Sequence, residues 1–151
     1  MKIIKISFLA KVSISLFVIV SGMVRAEIIL KDTRIREMPP GVVTTAAYMT
    51  LTNLHEREIE LVGISAGFAE RVEVHEHLHK DGMMQMRKVE SFVVSPGQTI
   101  EFKPGGYHLM VFGVKGRPKI NESVDITLAF NNGEAITHAF SVYSHHQQHS
   151  H

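Results

Sequence analysis

Apolar and polar residues alternate along many short segments of this chain, and turn-forming residues separate the segments. The segment Ser123–Phe130 shows the pattern most clearly, with every second residue apolar: Val124, Ile126, Leu128 and Phe130. A period of two is typical of a β-strand with one buried face. Further segments rich in β-branched and aromatic residues are Ala46–Thr52, Ile59–Ser65, Arg71–His79, Met84–Val89, Thr99–Lys103, Tyr107–Val114 and Ala135–Tyr143. Because none has a helical repeat, the sequence predicts an all-β sandwich or small barrel.

The first 26 residues break this pattern and predict a cleavable signal peptide. Lys2, Lys5 and Lys11 precede a largely apolar run at 12–24, and small-residue spacing around Ala26 suits cleavage after that residue. The apolar run is too short for a membrane span, which needs about 20 residues. No cysteine follows the run, so a lipid-modified N-terminal cysteine is excluded. We therefore expect export to the periplasm without a stable membrane anchor.

Removal of residues 1–26 changes the charge of the chain. The full chain has 16 Lys and Arg against 15 Asp and Glu, and the signal carries four of the basic residues and no acid, which leaves 12 against 15, or −3. No basic surface suggests nucleic acid. The remaining length suits one domain, residues 27–143, followed by a His-rich tail, residues 144–151. Without cysteine there are no disulfides, and a blue-copper electron-transfer site is excluded because it needs a thiolate.

Four soft or borderline metal donors stand at fixed spacings in the middle of the chain. They are His75, Met86, His108 and Met110, separated by ten, twenty-one and one residues. Residues two apart on a strand share a face, so His108 and Met110 are expected side by side, with Leu109 and Val111 on the other face. Thioether sulfur selects copper(I), whereas zinc sites use Cys, His and carboxylates. The set therefore predicts a copper(I) site.

The same four positions resemble a known family. The chain is similar to the small extracytoplasmic copper(I) chaperones of the periplasmic CuA-assembly type, whose motif of His or Met, Met, His and Met has these spacings. The residues that surround these positions also match the family, at Ala46–Asn53, Glu70–His77, Met84–Glu90 and Pro104–Met110. Many relatives place Met two residues after the first His, where this chain has His77. The choice between His75 and His77 therefore stays open.

The resemblance implies a fold, a function and partners. The implied fold is a cupredoxin-like Greek-key β-sandwich in a single domain. The implied function is delivery of copper(I) to a copper centre, that of cytochrome c oxidase, either directly to its subunit II or through a thiol-bearing copper chaperone. We expect a monomer that is not an enzyme, because the sequence has no catalytic motif of acyl, phosphoryl or paired-carboxylate type.

Other histidines offer additional metal donors. His77 and His79 share a predicted face with His75, and the tail carries four more at His145, His146, His149 and His151. Imidazoles without sulfur favour copper(II), nickel or zinc, so the tail is an auxiliary copper(II) candidate. Three alternatives stay open: a copper-buffering or copper-resistance protein, a zinc- or nickel-binding protein, and a metal-free interaction sandwich.

Overall fold

The computed structural model describes residues 27–80 and 82–144 and contains only strands, turns and loops there. The predicted signal peptide, Asp81 and tail residues 145–151 lie outside the described residues. The strands are β1 (Ile28–Arg36), β2 (Thr44–Asn53), β3 (Ile59–Ser65), β4 (Arg71–Lys80), β5 (Met83–Lys88), β6 (Phe92–Val94), β7 (Thr99–Phe102), β8 (Tyr107–Phe112), β9 (Ser123–Phe130) and β10 (Ala135–Tyr143). The predicted all-β class is confirmed.

The ten strands form one curled sheet in the order β5-β4-β8-β7-β2-β1-β10-β9-β3-β6, with β8 also paired to β2. Most neighbours are antiparallel, and the parallel pairs are β1 with β10 and β7 with β8. The curled sheet encloses the core on its inner face. Strands β5, β4 and β8 lie together at one end of the order, which brings the donor-rich segments of the sequence into contact.

Alternation in the sequence becomes burial in the fold. Met49, Leu51, Ile126 and Leu128 are at most 1% exposed, and Phe130 is 3% exposed. Full burial of each such side chain contributes about 1.5–3 kcal/mol, so rows of this kind can stabilise a domain that has no disulfide. Met49 and the buried Met38 therefore pack in the core, where methionine readily fills irregular space.

Two strands, β1 and β6, are not predicted by the sequence pattern. In β1 the pairing with β2 shifts register between Lys31 and Arg34, and Asp32 has a positive φ of 53°. This bulge interrupts the alternation of buried and exposed residues, so the segment has no clean period of two. Strand β6 has only three residues, too few for periodicity to be visible.

Asn53, at the end of β2, connects the β2–β3 loop to the end of β6 and the loop after it by hydrogen bonds. Its side chain is fully buried. Its Nδ2 group donates to the carbonyl oxygens of Arg57 (2.9 Å), Val94 (3.0 Å) and Ser95 (3.2 Å), and its Oδ1 accepts from the backbone N–H of His55 (2.9 Å). Backbone groups that would otherwise be buried without partners are thereby satisfied.

Replacement of Asn53 should destabilise the fold strongly. Asn53→Ala leaves several buried backbone groups without a hydrogen-bond partner. We therefore expect the free energy of unfolding to fall by about 2–3 kcal/mol. The matched control is Asn131→Ala, because exposed Asn131 accepts one hydrogen bond from the Glu60 N–H. The free energy of unfolding of this control should fall by less than about 1 kcal/mol. Urea unfolding measures both, and equal losses would contradict the role of Asn53.

Candidate metal centre

The pairing of β4 with β8 and β5 brings the predicted donors onto one face of the sheet. His75 lies directly opposite His108, and Glu73 lies opposite Met110. On the other side of β4, His77 lies opposite Met86. Since alternate residues on a strand share a face, all of these side chains project from the same side.

The opposite face of the same strands belongs to the core. Val72 and Val74 of β4 are 7% and 6% exposed, and Leu109 and Val111 of β8 are fully buried. The predicted division of β8, with His108 and Met110 on one face and Leu109 and Val111 on the other, is therefore confirmed. Met86 does not point into the core, since it is 56% exposed.

His108 is the most enclosed of the donors. It is 3% exposed, and its Nδ1 lies 3.1 Å from the carbonyl oxygen of Gly106. An N–H at Nδ1 that donates to this carbonyl leaves the lone pair on Nε2, as is usual for a metal-binding imidazole. Burial lowers the pKa of His108, the hydrogen bond to Gly106 opposes this, and the nearby His77 and His75 lower the pKa further. The ring is therefore kept neutral, the form that can coordinate a metal.

The turn before β8 positions this imidazole. Gly105 has a positive φ of 80°, which glycine adopts without strain, and this turn carries the Gly106 carbonyl. The same carbonyl accepts a hydrogen bond from the backbone N–H of His77 at 3.3 Å. One backbone oxygen thus links the end of the β4–β8 pairing to the ring of His108.

His75 has a comparable tether on the opposite ring nitrogen. Its Nε2 lies 2.9 Å from the Glu73 carboxylate oxygen Oε2, and the side chain is 16% exposed. The hydrogen bond to His75 is the main cause that lowers the pKa of Glu73. An Nε2–H that donates to this carboxylate leaves the Nδ1 lone pair for a metal, as in carboxylate–histidine–metal arrangements.

His77 is closer to His108 by ring position but differs in its contacts. The ring centroids of His77 and His108 are 4.8 Å apart, against 6.1 Å for His75 and His108. The Nδ1 atom of His77 is buried without a hydrogen-bond partner in the described structure. A polar atom of this kind indicates a place where a ligand could be accepted.

An open groove of about 540 Å³ runs along this face of the sheet. His77, Met86, His108 and Met110 line one part of it. Its other walls come from the β1–β2 region, Arg117 and Ser144, the first residue of the tail. His75 does not line the groove. The groove therefore collects three of the four predicted ligands together with His77.

Strand register nevertheless favours His75 as the partner of all three. His75 is directly opposite His108 and diagonal to both Met86 and Met110, whereas His77 is four residues along β4 from the position opposite Met110. His75 is thus one direct or diagonal cross-strand step from each of the three, whereas His77 is one such step from Met86 and His108. Cross-strand register therefore favours His75, whereas the groove lining favours His77.

A second cluster lies outside these strands and has no signal in the sequence. Buried His55 contacts the carboxylate of Glu27 through Nδ1 and that of Glu134 through Nε2, the latter at 2.7 Å. The three residues are distant in sequence, so no spacing predicts their meeting. Since each ring nitrogen already faces a carboxylate, the cluster acts as a structural link between the start of β1 and the β9–β10 turn.

Solved structures with the same fold include copper-binding domains. The copper-bound PCuAC domain of PmoF2 superposes with a TM-score of 0.66 at 18% identity, over 79% of this chain and 94% of that one. The solution structure of CuI-DR1885 from Deinococcus radiodurans has a TM-score of 0.61 at 32% identity, over 76% of each chain. The fold and the donor-bearing face define a PCuAC-type domain, and the predicted cupredoxin-like class is confirmed.

Sequence comparison gives the family. The family model described as LpqE-like, a group of proposed lipoproteins, matches residues 28–142, and the chain belongs to this family. Lxx21020 of Leifsonia xyli subsp. xyli, named as a proposed lipoprotein, and the protein RP573 of Rickettsia prowazekii are each 30% identical to it, over 62% and 60% of this chain. The matched regions span 57% and 51% of those proteins. In the described part of the chain, no helix is long and apolar enough to cross a membrane.

The lowered pKa of His108 predicts a pH-dependent contribution to the stability of the metal-free protein. In the unfolded chain this imidazole takes up a proton near pH 6.5, whereas the folded protein resists protonation until lower pH. The stabilising contribution of neutral His108 is therefore present above about pH 6.5 and is lost as pH falls through the folded pKa.

Urea unfolding of the wild type and His108→Gln without metal measures this effect. We expect the stability difference between the two proteins to be larger near pH 7.5 than near pH 5.5. Carboxylates such as Glu73 titrate at lower pH and do not disturb this interval. A difference that stays constant or grows toward pH 5.5 would contradict the neutral, buried state of His108.

Proposed function

We propose that this protein is an extracytoplasmic copper chaperone that binds copper(I) through His75, Met86, His108 and Met110. The observation that carries the proposal is the presence of two imidazoles and two thioethers on one face of β4, β5 and β8 in a chain without cysteine. Thioethers discriminate strongly in favour of copper(I) over zinc. The likeness to CuI-DR1885, a copper(I)-loaded structure at 32% identity, supports the same ion.

The ion is cargo rather than a catalyst. We propose that the exported protein delivers copper(I) to the copper centre of cytochrome c oxidase, directly to subunit II or through a thiol-bearing partner. Neutral thioethers are moderate ligands, so a thiolate-bearing acceptor can take the ion by stepwise ligand exchange. No change in oxidation state is needed, and the direction of transfer follows from the higher affinity of the acceptor.

The His-rich tail is a separate part of the proposal. Its four imidazoles lie outside the described residues, and their composition suits copper(II). Ser144, the residue before them, lines the same groove as Met86, His108 and Met110. We propose an auxiliary copper(II) site in the tail, and copper(II) titration of the full chain and of a chain ending at Ser144 tests it.

Loss of a thioether should weaken copper(I) binding selectively. Met86→Ala and Met110→Ala each remove one sulfur ligand, and we expect the copper(I) dissociation constant to rise on the order of 100-fold in anaerobic chelator competition. Zinc affinity should stay unchanged, because zinc gains little from thioether sulfur.

X-ray absorption of the wild type loaded with copper(I) should show two sulfur neighbours and one or two nitrogen neighbours around the copper.

The matched control is Met49→Ala. Met49 is a methionine on the neighbouring β2 that is buried in the core, so the control should lose stability but keep its copper(I) affinity. A copper(I) affinity unaffected by Met86→Ala and Met110→Ala would overturn the ligand set. Tight copper(I) binding without transfer to a metal-free oxidase CuA domain would instead support a buffering protein.

A comparison of His75→Ala with His77→Ala separates the two candidate imidazoles. Because His75 is directly opposite His108 and diagonal to Met86 and Met110, we expect His75→Ala to raise the copper(I) dissociation constant by at least about tenfold. His77→Ala should change it by less than about threefold. The reverse order in the same chelator competition would transfer the ligand role to His77.

A further inference from the structure

The β4–β5 pairing continues beyond the sheet as a two-stranded ribbon. Pairing between β4 and β8 ends at Glu76 and Tyr107, whereas pairing between β4 and β5 continues to Lys80 and Met83. In the described chain, residues 77–80 and 83–86, the donor ribbon, therefore have no strand partner other than each other, although the His77 N–H also donates to the Gly106 carbonyl before β8. Strand β5 is also the last in the strand order, so its outer edge pairs with no strand of the described chain.

Histidine and methionine face each other at two successive positions of the donor ribbon. His77 lies opposite Met86, and His79 lies opposite Met84. Both pairs are on the face that carries His75 and His108, because their residues are two apart on each strand. Side chains directly opposite on antiparallel strands have Cβ atoms about 5 Å apart, which suits two ligands on one soft ion.

Exposure rises from the sheet toward the tip of the donor ribbon. His108 is 3% exposed, Met86 is 56% exposed and Met84 is 60% exposed. His79 is exposed as well. Exposed edge strands usually carry charged residues that discourage other chains from pairing, whereas half of the residues of β5 are exposed methionines. An exposed edge strand so rich in methionine indicates a binding surface.

We infer that His79 and Met84, the outer pair, form a second copper(I) position, which exchanges the ion with the inner site of His75, Met86, His108 and Met110 through the His77–Met86 pair. The inference rests on the proposed copper(I) function and extends it to the route of transfer. Successive pairs are about 7 Å apart along the strands, so Met86 can hold the ion while one imidazole replaces another. The His77 Nδ1 atom, buried without a partner, lies between the two positions as a free donor.

The outer pair identifies where an acceptor approaches. An acceptor with soft ligands, such as a thiolate pair, can reach His79 and Met84 from solvent, whereas the nearly buried His108 is shielded. Copper stays monovalent at each step, and each new bond to the ion forms as an old one is released. The acceptor therefore never has to enter the groove.

Titration of the full chain with silver(I), a redox-silent monovalent analogue of copper(I), tests the outer position. Methionine methyl groups and histidine rings are followed by NMR. The first equivalent should shift the methyls of Met86 and Met110. The second should shift the Met84 methyl and the His79 ring and leave the Met83 methyl unchanged.

The chain offers a matched control for this experiment. Met83 and Met84 are both 60% exposed and adjacent on β5, but they project from opposite faces. The NMR signals of the His79 ring report the binding of the second silver(I) equivalent. Met84→Leu should raise its dissociation constant by about tenfold, and Met83→Leu should leave it within about twofold. Both variants should keep the first equivalent unchanged.

Different results overturn different parts of the proposal. Equal shifts at Met83 and Met84, or an unchanged second equivalent in Met84→Leu, would overturn the outer position alone. A first equivalent that leaves Met86 and Met110 unshifted would overturn the inner site, and with it the route through the ribbon.

Discussion

The antiparallel pairing of β4 with β8 is the constraint on which the rest of the site depends. The register is fixed because Val72, Val74, Leu109 and Val111 must all face the core. A slip of one residue would turn these side chains to solvent and bury His75 and His108 in an apolar interior. Burial of aliphatic side chains on one face thus determines where the imidazoles and thioethers stand on the other. The same strand pairing therefore determines both the packing of the core and the positions of the metal donors.

Much of this arrangement can be predicted from the sequence because a period of two is visible in it. Eight of the ten strands correspond to predicted segments, and Ile59–Ser65, Ser123–Phe130 and Ala135–Tyr143 match their predicted bounds. The bulge at Asp32 hides β1, since it breaks the alternation that identifies a strand. The three residues of β6 are too few to show any alternation. A pattern of alternating residues predicts only regular strands. It does not reveal strands β1 and β6, because one is bulged and the other is very short.

Contacts between distant segments are harder to predict. Nothing in the spacing of Glu27, His55 and Glu134 indicates that they meet, because their approach depends on how β1 and β10 are placed in the curled sheet. The tether of His75 to Glu73 is similar, since two neighbouring residues on one face can interact or turn apart. The choice between His75 and His77 therefore needs the cross-strand register, which the sequence alone does not supply. The likeness to PCuAC domains at 18% identity establishes the fold, and the side chains of this chain must carry the functional argument.

The Gly106 carbonyl has a consequence for how an ion would be held and released. It fixes the ring of His108 through Nδ1 and holds the backbone of His77 in place, so this side of the centre is ordered before any ion arrives. Met86, on an edge strand and mostly exposed, keeps its rotamers until it binds. Under the proposed ligand set, the entropic cost of capture falls mainly on the methionine side. The centre thus combines a pre-ordered imidazole at His108 with a flexible thioether at Met86, which can stay bound to the ion as the ion moves away from His108.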